Sequence, residues 1–230
     1  MKIIVLGDIH GRSVWKKIID KERPDQMIFL GDYVSTHEDI TEDEQVTNLK
    51  EILKFKDEHP ETIMLRGNHD MQHLGYDWAQ CSGYYKRVEE LMADLKEEFL
   101  AKTQWIHVVG NTVFSHAGIS TKWLNHYLIT LYDINELEPS GLFGFSLLDS
   151  WDIYGTSPFQ PPTWIRPLTL VDVMIPDYDQ VVGHTEVEHC FNLKDSKDIP
   201  YNLWLCDALE HGSYLVIEDN VYSEHKISND

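Results

Sequence analysis

The chain has 230 residues, which at about 150 residues per domain allows one large domain or two small ones. Hydrophobic residues make up 42% and charged residues 25%, a globular composition that excludes wholesale disorder and fibrous repeats. Lysine and arginine number 19 against 39 aspartates and glutamates, and the resulting net charge of −20 repels nucleic acid and anionic lipid.

Residues 2–6 (KIIVL) form an unbroken apolar run ending at a glycine, the pattern of a strand buried on both faces. Residues 12–22 come next, with Val14, Trp15, Ile18 and Ile19 at helical spacing. Residues 27–30 read as a second buried strand, and residues 41–58 as a charged helix carrying Val46, Leu49, Ile52, Leu53 and Phe55. Residues 62–65 make a third strand and 84–101 another acidic amphipathic helix; strands alternating with helices point to an α/β domain. Gly110-Asn111, flanked by apolar runs at 105–109 and 112–115, predicts a tight hairpin. Residues 121–131 read as helix, and 180–182, 201–206, 213–218 and 221–225 as further strands. The stretch 139–178, rich in proline, glycine and aromatics, carries no assignment. Linker-like segments and internal repeats are absent, so one domain spanning 1–230 is expected.

No apolar run approaches the roughly 18 residues of a membrane span, and the first residues carry no signal-peptide pattern, so a cytoplasmic protein is expected. Cys81, Cys190 and Cys206 are odd in number and form no C-x-x-C, which predicts reduced thiols rather than disulfides or a zinc site. Trp15, Trp105 and Trp151 are expected to fill core.

The chemistry lies just past the strands. Apolar runs lead into Gly7-Asp8-Ile9-His10-Gly11, Gly31-Asp32-Tyr33, Gly67-Asn68-His69-Asp70, His116-Ala117-Gly118 and Gly183-His184-Thr185. The carboxyl edge of an open α/β sheet is where ligands bind. Asp8 and His10, two residues apart, point the same way if the backbone is extended, and can grip one ion. Asp32 can bridge two ions through its carboxylate oxygens. A mixed Asp, Asn and His set suits borderline divalent metals, with Mn²⁺ the expected ion and Fe, Zn, Co and Mg the other candidates. Two such ions would activate a water and clamp the oxygens of a phosphate ester.

In these motifs the chain resembles the calcineurin-like metallophosphoesterases, and most closely their phosphoprotein-phosphatase branch with its bacterial and phage members. The resemblance rests on G-D-I-H-G at 7–11, G-D-Y-V at 31–34, L-R-G-N-H-D at 65–70, S-H-A-G-I at 115–119 and V-V-G-H-T at 181–185. It implies a four-layer α/β/β/α sandwich and two metal ions. Asp8 and His10 would bind the first, Asp32 would bridge, and Asn68, His116 and His184 would bind the second. It further implies attack on phosphorus by a metal-activated water, with His69 protonating the leaving alkoxide. Arg166, within Trp164-Ile-Arg-Pro167, would bind the phosphate oxygens together with Asn68, and Arg12 is the second-choice arginine. Arg66 reads as structural. Of the remaining histidines, His37 and His73 lie in loops that could bring them to the substrate.

Two departures stand out. The branch reads G-D-Y-V-D-R-G where this chain has Gly31-Asp-Tyr-Val-Ser-Thr-His37, so Ser35 and Thr36 replace an aspartate that orients the general acid and a phosphate-binding arginine. R-G-N-H-E becomes R-G-N-H-D. The favoured reading is hydrolysis of phosphate monoesters by a serine/threonine phosphatase-like enzyme acting on a phosphorylated substrate. The enzyme alternatives are a dinucleoside polyphosphate hydrolase or a phosphodiesterase. The rival from another class is a non-catalytic scaffold of the same fold, like the retromer subunit that has lost the histidine of the Asn-His pair; here His69 and all six candidate ligands are present.

Overall fold

In strand β1 (Lys2–Leu6) every side chain beyond Lys2 is buried, and the strand's two faces feed different layers. Ile4 and Leu6 join Met27, Phe29, Tyr214 and Val216 beneath the helices, while Ile3 and Val5 join Ile28, Leu30, Leu215 and Ile217 between two sheets. A strand sends alternate residues to opposite faces, so burial on both sides requires the unbroken apolar run. The computed structural model describes residues 1–36, 38–144, 152 and 154–228. The remaining strands are β2 (Gln26–Phe29), β3 (Ile63–Met64), β4 (Ile106–Val109), β5 (Thr112–Ser115), β6 (Asp179–Glu186), β7 (Phe191–Asn192), β8 (Leu203–Asp207), β9 (Ser213–Glu218) and β10 (Val221–Lys226). They form two five-stranded sheets, ordered β10-β9-β1-β2-β3 and β4-β5-β6-β8-β7. The last two strands of the chain thus return to the sheet of the first.

Strands β1, β2 and β3 run parallel, as do β5, β6 and β8, so each sheet gathers several carboxyl ends on one edge. Val181, Phe114 and Cys206 of the second sheet pack against the first. Val182, Leu203 and Leu205 face outward onto Ile165, Leu170, Leu193 and Ile199. With helices over both outer faces, the result is the α/β/β/α sandwich.

The helices are α1 (Trp15–Glu22), α2 (Glu42–Glu58), α3 (Asn68–His73), α4 (Lys86–Ala93), α5 (Lys96–Lys102), α6 (Thr121–Tyr127) and α7 (Pro167–Leu170). Helix α2 starts at a reciprocal cap: Thr41 Oγ1 accepts from Glu44 N at 3.3 Å and Glu44 Oε2 accepts from Thr41 N at 2.8 Å. The helix expected over 84–101 divides into α4 and α5. Leu95 N bonds Met92 O, and this tighter turn lets Val88, Met92, Leu95 and Phe99 all reach one core. The helix expected over 121–131 ends at Tyr127, where Leu128 turns left-handed (φ 55°). Strand β6 is longer than the sequence pattern showed and carries a register shift between Val182 and Glu186. Trp15 and Trp105 are buried as expected; Trp151 lies outside the described residues. All three cysteines are free, with Cys190 and Cys206 buried.

Glu22, at the end of α1, ties the helix to the sheet. Its side chain is 6% exposed and meets Lys2 Nζ, Tyr214 Oη at 2.6 Å and His225 Nδ1 at 3.2 Å. Burial opposes its ionisation, but the bonds from Lys2, Tyr214 and His225 win and bring it from 4.5 down to about 2. A depressed carboxylate contributes stability that is complete above its unfolded value and is lost as pH falls through its folded one. Glu22→Gln should therefore lower stability by about 1–2 kcal/mol at pH 7, with the gap to the parent closing as pH drops from 4.5 towards 2. Urea titrations at pH 7 and pH 3 check this; a gap of constant size would remove Glu22 from the acid limb.

Candidate metal centre

The loops leaving β1 and β2 are zipped together. Asp32 O accepts from Ile9 N at 3.0 Å and His10 N at 2.8 Å, and Tyr33 O accepts from Gly11 N at 2.8 Å. These bonds hold His10 (φ 45°) and Asp32 (φ 49°) in left-handed backbone, and His184 (φ 62°) shares that conformation. The extended geometry expected for Asp8 and His10 is thus replaced by a turn, which brings the two side chains together by another route. Left-handed backbone at residues with a Cβ costs on the order of 1–3 kcal/mol each and persists only where surrounding bonds enforce it.

Asp70 supplies the second fastening. Fully buried, its carboxylate accepts from Asp32 N (2.9 Å), Tyr33 N (2.8 Å) and Gly67 N (2.9 Å), joining the loops after β2 and β3. The motif glycines leave room for carboxylates against backbone. A Cβ at Gly67 would lie 2.1 Å from Asp32 Oδ1, and one at Gly183 would lie 2.3 Å from Asp8 Oδ1.

Two donor groups result, Asp8 with His10 and Asp32, and Asp32 with His116 and His184. Within each group the ligand atoms lie within 4.8 Å of one another, and Asp32 belongs to both. Asn68 Oδ1 lies 2.9 Å from His116 Nε2, which is 3.3 Å from Asp32 Oδ2. Backbone carbonyls turn the imidazoles inward: His10 Nδ1 is 2.8 Å from Val34 O, and His116 Nδ1 is 2.9 Å from Leu30 O. His184 N donates to Asp8 Oδ1 at 2.9 Å. His184 Nε2 is buried and has no hydrogen-bond partner among the described residues. A buried nitrogen lone pair left so is expensive unless an ion takes it, and the Asp/Asn/His donor set suits a borderline divalent cation. The residues fit the metals that the sequence implied.

Electrostatics agree. Burial, and then the charge of Asp207, push Asp8 well above the usual carboxylate range. Burial raises Asp207 to about 6 against the pull of His116 and Arg12, and burial with Asp32 raises Asp70 to about 7. Asp32 is the exception: burial disfavours its charge, but His116, His69 and His10 hold it well below the usual range. His116 is itself driven up to about 10 by Asp32 and Asp8 despite burial, whereas burial takes His10 down to about 4. Four carboxylates packed where the carboxyl ends of the two sheets meet make a site for positive charge.

His69 N donates to Asp32 Oδ1 at 2.8 Å, and its ring stands edge-on to His10 at 5.6 Å. Arg166 reaches the same edge. Its Nη1 donates to His184 O (2.9 Å) and Thr185 Oγ1 (3.1 Å). Arg12 also lies here, but Glu38 and Glu210 hold its guanidinium, which also donates to Asp8 O at 3.3 Å. Arg66 points away, bonded to Thr103 and Leu100 O and stacked 4.8 Å from the Trp105 ring, a structural residue as expected. His73 does not face a substrate. It is fully buried, its Nδ1 on His69 O at 2.8 Å and its Nε2 accepting from Tyr85 N. His37 lies outside the described residues. Ser35 donates to Gly83 O, and Thr36 lines a cavity beside His69.

Three residues of this edge received no role from the sequence. Asp207 succeeds the apolar run 201–206 as Asp8 succeeds 2–6, so its signal was present. Asp70, three residues past Gly67, has the spacing of a helix-capping carboxylate. Cys81 Sγ, 3.8 Å from His69 Nδ1, gave no sequence signal.

The model of the calcineurin-like phosphoesterase family matches residues 1–188. A comparison with curated proteins finds no match. Among solved structures, the cold-active protein-tyrosine phosphatase of the psychrophile Shewanella sp. is 18% identical, with a TM-score of 0.66 over 99% of this chain and 80% of that one. A protein serine/threonine phosphatase from Saccharomyces cerevisiae is 15% identical, TM-score 0.59, over 100% and 81%. A metallophosphoesterase from Sphaerobacter thermophilus is 15% identical, TM-score 0.53, over 99% and 89%. At these identities the structures speak for the fold, and the family model, which covers most of the chain, speaks for descent: this chain belongs to the calcineurin-like phosphoesterases, hydrolases of phosphoric esters that use divalent metals.

Proposed function

We propose that the chain hydrolyses phosphate monoesters in the manner of a serine/threonine phosphatase, with residues 1–230 working as one domain. The observation that carries this reading is Asp32, one carboxylate common to two donor groups with the His69 amide bonded to it. Asp8, His10 and Asp32 would hold one ion, and Asp32, Asn68, His116 and His184 the other, Mn²⁺ being favoured over Fe, Zn, Co and Mg. When bound, the ions supply an activated water and neutralise charge on the phosphate.

The chain's own residues do the rest. His69, braced on Asp32, gives a proton to the departing alkoxide. Arg166, braced on His184 O and Thr185, meets the phosphate oxygens with the amide of Asn68. Arg12 sits between Glu38 and Glu210, so its charge is already answered and it supports rather than replaces Arg166.

The cavity of about 210 Å³ beside His10 and His69 is lined by Glu38, Glu186, Asp207 and Glu210 as well as Arg12. Four carboxylates to one arginine favour a substrate with a single phosphoryl group over a polyphosphate chain. The net charge of −20 argues against a nucleic-acid partner. Among the described residues no helix is long and apolar enough to cross a membrane. Three free thiols support a reducing, cytoplasmic setting.

The test is turnover of p-nitrophenyl phosphate beside bis-p-nitrophenyl phosphate, with Mn²⁺ and then with chelator. The expected result is chelator-sensitive hydrolysis, faster for the monoester. Preference for the diester would transfer the site to a phosphodiesterase.

A further inference from the structure

We propose that Cys81 is a positioning residue, whose thiol holds the His69 ring and the Asn68 amide in the orientations that proton donation requires. This rests on the reading of His69 as the proton donor. Cys81 Sγ lies 3.4 Å from Asn68 Nδ2 and 3.8 Å from His69 Nδ1, so one sulfur touches both members of the Asn-His pair.

The sulfur is held there by built contacts. Cys81 N donates to Gln72 Oε1 at 2.7 Å, and Gln72 Nε2 donates to Ser82 O at 3.2 Å; Gln72 is buried on α3, the helix that Asn68 and His69 begin. Ser35, at the position where the resemblance expects an orienting aspartate, donates instead to Gly83 O and so pins the same loop. A side chain at Gly83 would lie 3.3 Å from His69 Cε1, so the loop backbone packs against the imidazole.

A thiol is donor and acceptor at once. Toward Asn68 it accepts the amide N–H, which leaves Oδ1 facing His116 at 2.9 Å. Toward His69 it can donate S–H to a bare Nδ1, or accept from Nδ1–H once the ring is protonated. Either way Nδ1 is occupied, and Nε2 is the nitrogen presented to the substrate. Unlike a carboxylate, the thiol does this without adding negative charge to an edge that already holds Asp8, Asp32, Asp70 and Asp207.

The experiment compares Cys81→Ala and Cys81→Ser with the parent on phenyl phosphate, whose leaving group needs a proton, and on 2,4-dinitrophenyl phosphate, whose leaving group does not. Cys81→Ala should lose about tenfold in kcat on phenyl phosphate. That loss should be at least about fivefold larger than the loss on the dinitrophenyl ester, and Cys81→Ser should recover most of it. Equal losses on both esters, or none on phenyl phosphate, overturn the proposal. A second readout needs no turnover: the ¹⁵N signals of the His69 ring should shift at Nδ1 between parent and Cys81→Ala, and unchanged signals overturn it too. If the parent hydrolyses neither ester, the phosphomonoesterase reading fails and the ring-nitrogen spectra decide the positioning alone.

Discussion

Asp32→Asn should lower kcat for p-nitrophenyl phosphate by at least about 10³-fold and reduce bound Mn²⁺ from about two ions per chain to about one or fewer. Among the described residues no other side chain belongs to both donor groups. Its Oδ1 accepts from His69 N while Oδ2 faces His116 Nε2 at 3.3 Å. An amide of the same shape loses the negative charge and must turn an NH₂ toward one of these partners, so one donor group loses its oxygen in either rotamer. The fold should survive, because Asp32 fastens its loop through the backbone: Asp32 O receives Ile9 N and His10 N, and Asp32 N reaches Asp70. Because Asp32 is held ionised against His116, losing its charge should lower the thermal midpoint of the metal-free protein while leaving one cooperative transition. Kinetics, metal analysis and circular-dichroism melts together decide it. Activity within tenfold of the parent would take Asp32 out of the chemistry, and a collapsed melt would make it a fold residue.

The sequence disclosed those parts of the molecule that one periodicity governs. Runs such as 2–6 and 27–30 read as strands buried on both sides, and they are the adjacent interior strands β1 and β2, whose ends lead into Asp8 and Asp32. The metal-type residues were legible because each comes directly after such a run, and the parallel order of β1, β2, β3 and of β5, β6 collects those ends on one edge. What escaped depends on contacts distant in sequence. The left-handed turns at His10, Asp32 and His184 are imposed by bonds between loops about 20 or more residues apart, and no local propensity encodes them. The break between α4 and α5 comes from four residues sharing one core, in a stretch whose helical period is unbroken. Arg12 looked available in the sequence because Glu38 and Glu210, which engage it, lie 26 and 198 residues away. Cys81 stayed silent for the same reason, since bonds from the distant Gln72 and Ser35 bring its loop back over His69.

His69→Asn should separate proton donation from metal binding. The bond from His69 N to Asp32 Oδ1 is a backbone bond, so the substitution leaves it in place, and the candidate ligands keep their geometry. Bound Mn²⁺ should stay within about 20% of the parent's, and KM should move by less than about threefold, because neither depends on the imidazole. The rate should not survive. A positioned general acid contributes roughly 10²–10⁴-fold, and an asparagine amide cannot release a proton to an alkoxide, so kcat on phenyl phosphate should fall by about that factor. The fall should shrink to less than about tenfold on 2,4-dinitrophenyl phosphate, whose leaving group departs as a stable anion. The asymmetry between the two esters is the signature of a lost proton, because a displaced metal or a collapsed pocket slows both alike. Should both esters slow equally with metal retained, the ring would be shaping the pocket beside His10. Should neither slow, the proton must come from solvent, and His69 would matter to this site only through the amide that anchors Asp32.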